Sequence, residues 1–239
     1  MLTTGAVWCS LWVMARIARV VAPGYPHHIT QRGNRRQKTF FRDDDYAAYL
    51  ELMAEWCGQC GVEVWAYCLM PNHVHLVVVP FSEEGLARGI GEAHRRYTRR
   101  INFRKRWRGH LWQGRFSSYV MDEAHLLAAA RYVETNPVRA RLCRKPWRYR
   151  WSSAAAHVAG EDDVLVKVAP MQEIVAQHMP DWQAYLALET PAETVRRLRL
   201  HERTMRPVGD AGFIGKLERL LGRRLARGKP GPKPKKRKK

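Results

Sequence analysis

The chain has 239 residues, 46% of them hydrophobic, enough for one sizeable core with an appendage. Its 42 Lys+Arg against 22 Asp+Glu leave a net charge of +20, which points to a polyanionic partner, nucleic acid above all. No apolar run approaches the ~18 residues of a membrane span, and residues 6–13 lack the basic start of a signal peptide, so a cytoplasmic protein with no membrane partner is expected.

His27 to Arg32 alternates loosely and runs into Arg32-Gly33-Asn34, a strand followed by a turn. Asp43, Asp44 and Asp45 then open a helix at the positive end of its dipole, and Tyr46, Tyr49, Leu50, Met53 and Trp56 give it an apolar stripe. Cys57-Gly58-Gln59-Cys60 closes that helix. A redox pair wants its reactive thiol at a helix N-terminus, and a zinc ribbon needs a second such pair, so this one is read as structural. Cys9, Cys68 and Cys143 add no framework spacing.

Val62 to Met70 reads as a second strand, Pro71-Asn72 as a tight turn and His73 to Val79 as a third strand, together an antiparallel hairpin. Alternate side chains of a strand share a face, so His73 and His75 point the same way, roughly 7 Å apart along the backbone. One histidine in such a strand is most simply a polar residue satisfied by a local hydrogen bond. Two in phase, among valines that favour a dry sheet, point instead to a pair of metal ligands.

Ser82 is placed as the cap of a second helix, with Glu83 and Glu84 in its first turn. Leu86, Ile90, Ala93, Tyr97 and Ile101 recur along one face of it. From Arg95 to Arg108 the helix and its exit carry Arg95, Arg96, Arg99, Arg100, Arg104, Lys105, Arg106 and Arg108 with no acid between them, interleaved with Tyr97, Phe103 and Trp107. Arginines suit backbone phosphates and aromatic rings stack on unpaired bases, so the run is read as a nucleic-acid surface rather than a merely solvated face. Arg32, Asn34, Arg35 and Arg36 after the first strand, and Arg115 further on, extend that reading.

Leu111 to Met121 reads as a fourth strand and Asp122 to Thr135 as a third helix, with Leu126, Ala129, Ala130 and Val133 inward. Tyr132 and Asn136 stand one turn apart on the neighbouring face, and Pro137 ends the helix so that the Asn136 amide is free to turn outward. Alone, these are a boundary tyrosine and a helix-ending asparagine. If the helix covers the sheet beside the histidines, Asn136 becomes a third metal ligand and Tyr132 lies next to whatever the metal holds. The order β-α-β-β-α-β-α predicts an α+β, ferredoxin-like antiparallel sheet with helices packed on one face. Residues 160–222 read as a small helical C-terminal region of unassigned role. Residues 223–239, with ten Lys+Arg and no acid, read as a disordered basic tail.

The ordered stretches "MPNHVHLVV", "LWQGRFSSYV" and "RYVETNPVRA", with the earlier "VAPGYPHHITQRGNRRQKTFF" and the later "WRYRWSSAAAH", resemble the single-tyrosine HUH transposases. Within them the chain is most similar to the REP-associated tyrosine transposases of bacteria, over residues 14–159. The resemblance implies a metal-dependent single-stranded DNA endonuclease and strand transferase. Such an enzyme acts on hairpin DNA through a covalent 5′-phosphotyrosine, in transposition or repeat mobilisation. Carried over residue by residue, His73 and His75 become the metal pair, Tyr132 the nucleophile and Asn136 the residue that completes the metal site. Tyr119 ranks behind Tyr132 because it falls in a strand. Mixed N and O ligands suit Mg²⁺ or Mn²⁺. The implied partner is single-stranded or hairpin DNA, bound by a monomer or a homodimer. The resemblance also sets the natural start at Met14, making residues 1–13 an extension. A non-catalytic nucleic-acid-binding regulator on the same fold is the alternative.

Overall fold

The structure is a computed structural model describing residues 18–225. The extension assigned to residues 1–13 and residues 226–239 of the basic tail lie outside the described residues.

The core of the fold is β1 (His27–Arg32), α1 (Asp43–Gln59), β2 (Val62–Met70), β3 (His73–Pro80), α2 (Gly85–Lys105), β4 (Ser117–Val120) and α3 (Glu123–Glu134). The four strands make one antiparallel sheet in the order β2-β3-β1-β4. Across the Pro71-Asn72 turn, Met70 pairs with His73 and Cys68 with His75. On the other side of β3, Arg32 pairs with His73 and Thr30 with His75, while His28 pairs with Tyr119 of β4.

Strand alternation sorts the side chains between two cores. Ile29, Leu69, Val74, Leu76 and Val78 pack with α1 and α2, whereas Ala66, Cys68, Met70, Val77 and Tyr119 pack with α3. Helices therefore cover both faces of the sheet, not one. The cause lies in β3, which is apolar at even and odd positions alike; a strand dry on both faces must be covered on both.

Six further helices follow: α4 (Asn136–Arg139), α5 (Ala154–Ala159), α6 (Ala169–Ala176), α7 (Trp182–Ala187), α8 (Ala192–Thr204) and α9 (Ala211–Leu221). Met171, Val175, Trp182, Tyr185, Leu186, Leu198 and Val208 join the α3 core, so this region packs onto the same face of the sheet as α3. Glu134 pins α3 to it. That carboxylate is fully buried and accepts hydrogen bonds from Ser153 Oγ, His157 Nδ1 (2.6 Å) and Trp182 Nε1 (2.8 Å). Three donors offset the cost of burying the charge.

Two boundaries depart from the sequence reading. Ser82 does not cap α2; the N-cap is Glu84, which makes no side-chain cap bond, so Glu83 and Glu84 precede the helix. Glycine allows the close approach instead: a Cβ on Gly85 would lie 3.1 Å from Cys60 O, and one on Gly89 3.2 Å from Trp56 O. The fourth strand shrinks to Ser117–Val120, because Leu111, Trp112 and Phe116 turn into the α1/α2 core. Gly114, with a φ of +72°, breaks the extended path between Trp112 and Phe116. Cys57 and Cys60 are free thiols at the end of α1, and burial pushes the Cys57 thiol up to about 12, in keeping with a structural role.

Candidate functional site

β3 holds His73 and His75 on the face that α3 covers, with ring centroids 5.0 Å apart. Each ring engages its Nδ1 within the protein. His73 Nδ1 lies 2.7 Å from Asn72 Oδ1, and His75 Nδ1 lies 3.1 Å from Nε2 of His28. Nε2 is thus the nitrogen each has to offer a ligand. Burial, aided by the nearby Arg32, lowers the His73 imidazole to about 4. Burial likewise holds His75 well below the usual histidine range, with His28 and His73 adding to it. Both rings are neutral at physiological pH, the form that ligates metal.

Asn136 opens α4, which packs on β2, one turn beyond Tyr132. It is 8% exposed, and its Nδ2 is buried without a hydrogen-bond partner. Amide oxygen and nitrogen exchange places by a half-turn of the side chain, so either atom can be the unsatisfied one. Two neutral imidazoles and one such amide fit a divalent cation that takes N and O ligands. Among the described residues no group of three or more His, Cys, Asp or Glu that could hold a metal is gathered.

Tyr132 stands on α3 with its ring edge-on to two imidazoles, 5.7 Å from His75 and 6.4 Å from His28. Arg139 lays its guanidinium over the ring at 3.8 Å. Arg199 approaches the same tyrosine from α8, and the interaction with Tyr132 raises the guanidinium above its ordinary value. Tyr119 is different: it is fully buried in β4, and its hydroxyl sits 2.6 Å from His28 Nδ1. Burial raises its phenol well above the usual range, so it is a hydrogen-bonding partner and not a nucleophile in waiting.

A pocket of about 370 Å³ opens beside this cluster, lined by Thr30, Arg32, Arg115, Arg199, Glu202 and Arg203 among others. Burial raises the Glu202 carboxyl above its ordinary value, with Thr30, Arg32 and Arg199 acting the other way. Four arginines against one carboxyl make the pocket cationic.

The basic run on α2 lies across the sheet from the histidines. Arg95 and Arg96 both pair with Glu92, and Arg104 pairs with the buried Asp45. These acids stand outside the stretch from Arg95 to Arg108, where a scan of that stretch does not find them. Tyr97 is also corrected: it is fully buried and donates to Thr39 O at 2.8 Å, so its ring belongs to the core and cannot stack on a base. Arg99, Arg100 and Phe103 line a groove of about 600 Å³ between α1 and α2, with Phe103 89% exposed. Arg106 follows in a left-handed conformation, with the partly exposed Trp107 beside it. Arg35 and Arg36 are exposed in the turn after β1, where Asn34 is half-buried; Arg115 is exposed at the β4 edge.

Sequence reasoning missed His28 and Arg199. His28 carries a signal in hindsight of the pairing: it is in phase with Thr30, which lies opposite His75. Arg199 carries none, because nothing local says where α8 docks.

Residues 23–136 match the family model described as "Transposase IS200 like". Among solved structures, a REP-associated tyrosine transposase bound to a REP hairpin aligns with 64% of this chain and 92% of its own, at a TM-score of 0.54 and 18% identity, a likeness of fold. A protein from Deinococcus radiodurans R1 with a provisional transposase name aligns with 54% of this chain and 92% of its own, at 18% identity and a TM-score of 0.36, too weak to add to it. No curated protein matches the sequence. No helix among the described residues is long and apolar enough to cross a membrane.

Proposed function

Because residues 23–136 match the IS200-like transposase family model, we propose that this chain is a metal-dependent single-stranded DNA endonuclease and strand transferase with Tyr132 as its nucleophile. The observation that carries this reading is the setting of Tyr132: beside His75, under Arg139 and next to Arg199. Two cations beside one phenol would offset the charge of a phosphate brought up to it.

In the reaction the Tyr132 oxygen attacks phosphorus, its proton leaves to solvent, and the bond from phosphorus to the 3′ oxygen breaks. The products are a 5′-phosphotyrosine and a free 3′-hydroxyl. The new ester conserves the energy of the old one, so a second 3′-hydroxyl can reverse the step without ATP. His73, His75 and Asn136 would hold Mg²⁺ or Mn²⁺, whose chemistry when bound is to polarise the scissile phosphate as a Lewis acid. Arg199 offsets charge on the phenolate and on the phosphate it approaches, while Arg32, Arg115 and Arg203 suit the flanking phosphates.

Hairpin DNA is the proposed substrate, supported by the hairpin-bound transposase of the same fold and by the net charge of +20. The enzyme would act in the cytoplasm, as a monomer or a homodimer. The test is incubation with single-stranded hairpin DNA and Mn²⁺ or Mg²⁺, followed by a denaturing gel. Wild type should give a protein–DNA adduct and Tyr132→Phe none. An adduct that survives Tyr132→Phe removes the tyrosine from its role. Hairpin binding without any adduct, unchanged by EDTA, leaves the non-catalytic regulator.

A further inference from the structure

Two adjacent histidines open β1, and the pleat sends them to opposite faces. His27 is a structural residue: its Nδ1 contacts Tyr25 O at 2.8 Å and its Nε2 accepts from the Ala22 amide at 3.2 Å. His28 faces the site. It is 1% exposed and lies between two partners, with Nε2 3.1 Å from His75 Nδ1 and Nδ1 2.6 Å from the Tyr119 hydroxyl. The two rings lie 23° from parallel with centroids 5.3 Å apart, the edge-to-edge arrangement that an N–H···N bond between them needs.

We propose that His28, backed by Tyr119, is the positioning residue of the metal site, fixing which nitrogen of His75 is free and where its ring points. The inference rests on the reading that His73, His75 and Asn136 hold the cation. An imidazole that binds a cation through Nε2 must keep its proton on Nδ1, and that proton needs an acceptor. Acceptors are scarce at His75, because β3 is paired with β2 on one side and β1 on the other, and its carbonyls serve the ladder. His28 Nε2 is the acceptor in reach. It can accept only when the His28 proton is on Nδ1, and there the Tyr119 oxygen receives it. The relay has one other state, with every proton reversed: Tyr119 donates to His28, and His28 to His75 Nδ1. In that state His75 carries its hydrogen on Nε2 and offers the cation nothing. A bound cation therefore selects the first state, and His28 is the residue that makes it available.

The experiment measures Mn²⁺ binding by the full chain, by calorimetry and by the loss of free-Mn²⁺ signal in electron spin resonance, with ring-nitrogen NMR shifts reporting the His75 tautomer. His28→Phe, which removes the acceptor, should weaken Mn²⁺ binding by about 10–100-fold. His28→Gln, whose amide oxygen can accept from His75 Nδ1, should recover most of that loss. Tyr119→Phe should fall between, with His75 populating both tautomers. Unchanged Mn²⁺ affinity in His28→Phe, or in Tyr119→Phe should the first variant not fold, overturns the proposal while leaving the metal site intact. If wild type binds Mn²⁺ no better than His73→Ala with His75→Ala, the metal reading itself fails and the relay goes with it.

Discussion

Two guanidinium groups bear on one phenol, Arg139 over the ring of Tyr132 and Arg199 approaching it from α8. They do not act alike. Arg139 lies two turns along the chain and packs the Tyr132 ring, whereas Arg199 comes from α8 and, on the proposed reading, faces the oxygen that would change charge. Removing a donor aimed at developing charge costs about 10²-fold or more in rate. Arg199→Ala is therefore expected to slow single-turnover cleavage of hairpin DNA by about 10²-fold with little change in hairpin affinity, and Arg199→Lys to restore part of the rate. Faster cleavage in Arg199→Ala would instead make this arginine a clamp that restrains Tyr132. The pairing of His73, His75 and Tyr132 on one face was legible because each motif sits inside a single strand or helix. The second cation on the tyrosine was not, since its position depends on how a distant helix docks.

At the scale of the element, α2 divides its arginines between folding and binding. Arg104 reaches Asp45, whose side chain is fully buried and also accepts from the Phe41 and Arg42 amides at 2.9 and 3.2 Å. Burial alone would raise that carboxyl; the bonds from Arg104 and the two amides bring it below its ordinary value. Arg104→Ala leaves the buried charge without its cation and should cost about 3 kcal/mol in urea unfolding. Arg99→Ala and Arg100→Ala should stay within about 0.5 kcal/mol of wild type. If these two hold backbone phosphates, each should also flatten the salt dependence of hairpin binding by about one unit of slope. A stability loss from Arg99→Ala equal to that from Arg104→Ala would contradict the division. Periodicity alone located β1, α1, β2, β3 and α3 to within a residue or so. It overextended β4, where apolar residues serve the core of the opposite face, and it put a cap on Ser82 where glycines set the start of α2 by close packing.

Across the whole molecule, folding buries His27, His28 and His94 uncharged, and burial lowers them to about 4, about 3 and about 3. In the unfolded chain each takes up its proton near pH ~6.5. Between that value and about pH 4 the unfolded state binds more protons, so stability rises with pH across the window and is lost on acidification. Each buried histidine should contribute about 2 kcal/mol to the difference between about pH 7 and about pH 5. Urea midpoints measured at the two values should separate widely; coincident midpoints would mean that these imidazoles are not held neutral. The sheet-and-helix order of the molecule was readable from the chain, but its two covered faces were not, because element order alone does not say on which side the C-terminal helices come to rest. That arrangement leaves the free arginines of α2 on one side of the sheet and Tyr132 on the other, with Arg115 lining pockets on both sides at the β4 edge. On the proposed reading, a stem gripped by α2 sends its unpaired strand over that edge before it can be cut. The protein then works as a ruler, and its own thickness sets a constant offset, counted in nucleotides, between the stem and the break.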